Sequence, residues 1–138
     1  MAKYAATTKV PPEKSAEEIK GILRKHGAES IGVMESQSEG IIIIAQMNSR
    51  NLKFVVPFQD TEKEYWRKWR VLVVKVKMAL EDLLEANTQA DFDQSLMNWI
   101  MMPNGQTCGE FAREGIEHAY SNGQMPSIGI EYKPPTSN

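Results

Sequence analysis

Cys108 is the residue whose type best suits a nucleophile. It falls in the first turn of an expected helix, where the positive end of the helix dipole favours a thiolate. A nucleophilic thiol also needs a base. His118 lies on the same helix, about 15 Å away along its axis, which is out of hydrogen-bond reach. Cys108, Ala112, Gly115 and Ala119 share one face of small residues, so the thiol is expected to pack as a small hydrophobe. Glu114 and His118 stand four apart and can reach one ion, but two ligands do not make a metal site. Glu110, Glu114 and Glu117 then read as a solvated acidic face. The chain has no glycine-rich phosphate loop and no nucleophile elbow. The residues therefore point to a non-catalytic protein with no cofactor.

Two other groups suit binding. Residues 61–77 carry six basic and two acidic residues. On a helix, Lys63, Arg67, Arg70 and Lys77 fall in one narrow stripe, and Lys68 and Lys75 in another. A basic helix face can track phosphates, or pair with acidic protein surface. Met97 and Met101 lie off the core face of a later helix, and flexible methionine surfaces suit protein partners.

The elements that position these groups follow from caps and periodicity. Residues 1–14 read as an extended arm, because Val10-Pro11-Pro12 disfavours helix. Ser15 and Glu18 have capping-box spacing, which predicts a helix over 16–26 with Gly27 as its stop. Strands are expected at 30–35, 41–47 and 52–58, with Leu52, Phe54, Val56 and Phe58 on one face. Their short connections imply an antiparallel meander. Thr61 and Glu64 form a second capping pair and open the longest helix, about 62–87. Its broad apolar face holds Trp66, Trp69, Leu72, Val73, Val76, Leu80 and Leu83. Val71, Val74 and Met78 lie almost opposite, so the helix is expected to be sandwiched between the sheet and the later helices. Asp91 is expected to cap a third helix over 92–102, with Phe92, Leu96, Trp99 and Ile100 facing the core. Thr107 and Glu110 cap a fourth, which Asn122-Gly123 ends. Residues 124–138 read as a Pro-rich extended tail, within which 127–132 have strand character.

This order predicts one α+β domain over 1–138: an α-β-β-β-α core with a three-stranded antiparallel meander, then two more helices and the tail. A chain of 138 residues fits a single domain. The single cysteine excludes an internal disulfide. The longest apolar run, 41–45, is far short of the ~20 residues of a membrane helix. A soluble cytoplasmic protein with no membrane contact is expected. The net charge of -2 conceals a split. Residues 1–77 hold 14 Lys/Arg against 9 Asp/Glu, and residues 78–138 hold 2 against 9. Such asymmetry fits a basic binding face or one half docking on the other.

The order of the first 87 residues resembles a double-stranded RNA-binding domain. The second helix departs from that pattern, opening Thr61-Glu62-Lys63-Glu64 where the family has a lysine-rich clamp. A second resemblance spans most of the chain. Tyr4, Val10-Pro11, Lys14-Ser15, Glu18-Ile19, Pro103-Asn104-Gly105, Thr107, Gly109-Glu110 and Met125-Pro126 together resemble small uncharacterised proteins of phages and prophages. That resemblance implies an accessory protein acting inside an infected bacterium, and it implies no mechanism. Two functions are expected from these readings. One is an accessory factor that binds a host or phage protein. The alternative is a DNA- or RNA-binding protein using Lys63, Arg67, Arg70 and Lys77.

Overall fold

The computed structural model describes residues 9–84 and 88–123. Among these, four helices and one three-stranded sheet form a mixed α+β fold in the expected order. The expected tail at 124–138, its strand at 127–132 and residues 85–87, expected as the last of the long helix, lie outside the described residues, as do residues 1–8 of the arm.

Helix α1 spans Pro12–Lys25 and starts earlier than its expected cap. Proline is well suited to a first helical position, where its missing N–H costs nothing. The Pro11 carbonyl accepts from Lys14 and Ser15 N–H, so Ser15 is inside the helix and caps nothing. Residues 12–14 thus belong to α1 and not to an extended arm. Pro12, Ala16, Ile19 and Leu23 are buried at helical spacing. The C-terminus is a Schellman turn: Ala28 N–H donates to Leu23 O and Gly27 N–H to Arg24 O, with Gly27 at φ +93°.

Strands β1 (Ser30–Ser36), β2 (Gly40–Met47) and β3 (Arg50–Val55) pair antiparallel in chain order. The β2–β3 reversal is a two-residue turn with Asn48 and Ser49 both at positive φ, the geometry that matches strand twist. Ile41, Ile43, Ala45 and Met47 of β2 join Leu52 and Phe54 of β3 in the core. Strand β3 ends at Val55, before Pro57, and Phe58 is exposed rather than on the core face.

Helix α2 spans Glu62–Glu81, short of the expected end at 87, because Asp82 closes it and residues 82–84 turn away from helix. The Thr61 hydroxyl accepts from Glu64 N–H as expected, but the Glu64 carboxylate turns to Arg67. Trp69, Leu72, Val73, Val76 and Leu80 are buried, whereas Trp66 is only half-buried. The expected sandwich does not form. Helix α3 (Gln89–Leu96) packs near the C-terminal end of α2, where Ser95 Oγ donates to Ala79 O at 2.9 Å. The outer stripe of α2 at Val74 and Met78 stays exposed.

Thr88, not Asp91, caps α3, and Asp91 completes the box from inside the helix. The helix stops at Leu96. A 3-10 turn, Met97–Trp99, follows, and the backbone then runs along the free edge of β3. Ile100 bridges Leu52, and Met101 N–H donates to Asn51 O at 2.8 Å. Trp99 packs on Phe54, with ring centroids 5.4 Å apart. Trp99 and Ile100 therefore reach the core from an edge segment and not from a helix. Helix α4 (Cys108–Asn122) carries the predicted Thr107–Glu110 capping box, and Gly123 ends it in the left-handed region.

Arg50 and Asp93 tie the sheet to α3 through two hydrogen bonds of 2.7 Å. The hydrogen bonds from Arg50 hold the Asp93 carboxyl below its ordinary value, against a smaller opposing effect of desolvation. A depressed carboxyl stabilises the fold fully above the unfolded aspartate value, about pH 4. That contribution is lost as pH falls through the lower folded value. Asp93→Asn is expected to shallow the decline of the urea midpoint between pH 5 and pH 2. An unchanged acid profile would rule the pair out as a source of acid sensitivity.

Candidate functional site

The expected basic stripe is not a continuous surface. Its edge of α2 is where α1 packs, and Arg70 is 7% exposed beneath it. The Arg70 guanidinium donates to Glu18 Oε1 at 2.7 Å and lies 3.4 Å from Ser15 Oγ. Arg70 is therefore a bridge between helices and unsuited to meeting a ligand. Arg67 is half-buried and bound to Glu64 through both carboxylate oxygens. Lys63 and Lys77 are exposed on the same edge, and Lys68 and Lys75 on the opposite edge. Met97 is exposed in the 3-10 turn, but Met101 is half-buried beside Thr107. The two methionines thus do not form one helical face.

Cys108 is half-buried, and its N–H donates to Ile100 O. The small face of α4 is not the surface that packs closely. Gly109 performs that role, since a Cβ there would stand 2.7 Å from Asn98 O. Among the described residues, no group of three or more His, Cys, Asp or Glu is arranged to hold a metal. No helix among them is long and apolar enough to cross a membrane.

A concavity lies elsewhere, at the end of the sheet. It has a volume of about 740 Å³, within the range of ligand clefts. Three separate segments build it: the start of α1, the β1–β2 turn, and the connection from Phe58 into α2. Glu13, Glu35, Asp60 and Glu62 line it, together with Phe58, Tyr65 and Trp66, and among the described residues no Lys, Arg or His lines it. Among the described residues none of the four carboxylates has an ion-pair partner. Glu13 and Glu62 stand in the first turns of α1 and α2, where the helix dipole accounts for a carboxylate. Asp60 stands just before the Thr61 cap of α2, and only Glu35, on β1, has no such reason.

The aromatic wall is built by close packing. Phe58 and Tyr65 lie 5.2 Å apart between ring centroids. Gly40 lies beneath them at φ +76°, and a Cβ there would come within 2.6 Å of the Tyr65 hydroxyl. Carboxylates and aromatic rings lining one concavity are of the types that cationic groups favour. Sequence periodicity misses this site because its residues come from segments far apart in the chain. Trp66, assigned to the core by its helical position, is the one residue whose type pointed to it.

Comparison with known proteins yields no matching family model, no matching curated protein and no matching solved structure.

Proposed function

We propose that the chain is a non-catalytic accessory protein that binds a basic segment of a partner protein in the acidic, aromatic cleft. The observation that carries this reading is the convergence of four carboxylates and three aromatic rings on one concavity, where among the described residues the carboxylates have no ion-pair partner and no cation lines the wall. Lysine or arginine side chains of the partner would neutralise Glu35 and Asp60 and stack on Phe58, Tyr65 or Trp66. The resemblance of its capping and turn motifs to small phage and prophage proteins is in keeping with an accessory role inside a bacterial cell.

The test is calorimetric titration with short peptides of Lys, Arg and Gly, compared with acidic peptides of the same length. Basic peptides should bind and shift the Trp66 emission, and Trp66→Phe should remove that shift. The double variant Glu35→Lys, Asp60→Lys should weaken binding by about tenfold, the size expected for reversing two partly exposed charges. Equal affinity in the double variant would remove the cleft from the reading.

A second reading is nucleic-acid binding, favoured by Lys63, Lys68, Lys75 and Lys77. These four are exposed and form no salt bridge among the described residues. Its test is fluorescence anisotropy with labelled DNA and RNA at two salt concentrations, using Lys68→Glu and Lys75→Glu. Reversals at Arg67 and Arg70 would not discriminate, because Arg70 holds the fold together.

A further inference from the structure

The chain carries a ligand of the right chemistry for its own acidic cleft. Pro12 and Glu13, at the start of α1, form part of the cleft wall. The backbone therefore enters the fold at the rim, and the stretch before α1 is tethered there. Lys3 and Tyr4 belong to that stretch, and residues 1–12 contain no carboxylate. Lys9 is exposed but does not line the cleft, so the segment in question is residues 1–8. Its composition answers the cleft in two respects. Lys3 offers the cation that the wall lacks among the described residues, and Tyr4 beside it offers a ring to the aromatic side. Ala2, Ala5 and Ala6 around them are small, so no bulky side chain holds the backbone away from the walls.

Reach and tethering favour the contact. Lys3 precedes Pro12 by nine residues. At about 3.3 Å per residue, that is up to about 30 Å of backbone, ample for any wall of a concavity of about 740 Å³. One lysine and one tyrosine make a weak ligand, of about millimolar affinity or less when free. On a short flexible linker the local concentration is itself about millimolar, so even a weak ligand fills its site for a substantial part of the time. Residues 124–138 match the cleft less well. They hold one lysine and one glutamate, and they follow α4, of which no described residue lines the cleft.

We infer that residues 1–8 occupy the cleft as an internal ligand, with Lys3 among the carboxylates and Tyr4 against the aromatic side. The segment then competes with a basic peptide for the same walls, so the chain restrains its own site. The inference rests on the reading of the cleft as a site for cationic groups.

The test places a nitroxide on the full chain at Ala2→Cys, in a Cys108→Ser background, and follows the broadening of backbone amides by NMR. Amides at Glu35, Gly40, Asp60 and Glu62 should broaden, and 1 M salt should reduce the effect, since it screens exposed charges. Lys3→Glu should also reduce it, as should Glu35→Lys with Asp60→Lys. Equal broadening in the parent and in Lys3→Glu would reflect the tether alone and would overturn the inference. The second arm titrates the same peptides of Lys, Arg and Gly into the unlabelled chain. Lys3→Glu with Tyr4→Ser should bind them about two- to tenfold more tightly than the parent, because the cleft is freed. Peptide affinity unchanged in that variant, with no charge-dependent broadening, would overturn the internal ligand and leave the partner reading standing. Charge-dependent broadening without peptide binding to either form would support the internal ligand and remove the partner reading.

Discussion

Arg70→Ala is expected to lower the stability of the fold by about 2–3 kcal/mol, and Arg70→Met by about 1 kcal/mol. Arg70 projects from α2 into the contact with α1, where it meets Glu18 and fully buried Ser15. Removing one side of a buried pair typically costs about 3–5 kcal/mol. The figure is reduced here because the Glu18 side chain is 48% exposed and can rehydrate. Methionine refills the space of the aliphatic stem, so it isolates the loss of the charge and the hydrogen bonds. Arg70→Glu should be worse than alanine, since it buries a second carboxylate next to Glu18. Urea unfolding at neutral pH measures all three. A loss below 1 kcal/mol for alanine would show that apolar packing, not this bridge, joins α1 to α2.

Arg70 also shows where the sequence stops being informative. By residue type and spacing it belongs with Lys63, Arg67 and Lys77, and nothing local separates it from them. Burial separates it, and burial depends on where α1 docks. Ser15 and Glu18 carry the same lesson. Their spacing reads as a helix cap, yet Pro11-Pro12 starts the helix first and frees both side chains for Arg70. Local signals served well where the physics is local. The Thr61 and Thr107 caps, the Gly27 and Gly123 stops and the β2–β3 turn are all governed by residues within one turn. Long-range effects were not legible. The 97–101 segment has helical apolar spacing, but the open edge of β3 draws its backbone into pairing. Trp66 and Trp69 look equivalent on a helical wheel. Trp69 enters the core, and Trp66 is left at the cleft, where the chain from Pro57 onward leaves the sheet.

Phe54→Ala carries the largest expected effect, about 4 kcal/mol. The ring is fully buried on β3, opposite Ile43, and it also supports Trp99. Its removal opens a cavity between the sheet and the edge segment that holds the start of α4. Trp99→Ala removes the other half of that contact, but Trp99 is only half-buried, so about 2 kcal/mol is expected. The two variants should differ in kind as well as in size. Phe54 belongs to the common core, so its loss should speed hydrogen exchange throughout β2 and β3. Trp99 holds the segment whose amides pair Met101 with Asn51 and Cys108 with Ile100. Its loss should speed exchange at Met101 and Cys108 first, and leave the β2–β3 ladder protected, as expected for local opening. Equal acceleration everywhere in Trp99→Ala would mean that the edge segment and the sheet unfold as one unit. In that case α4 is held as firmly as the core.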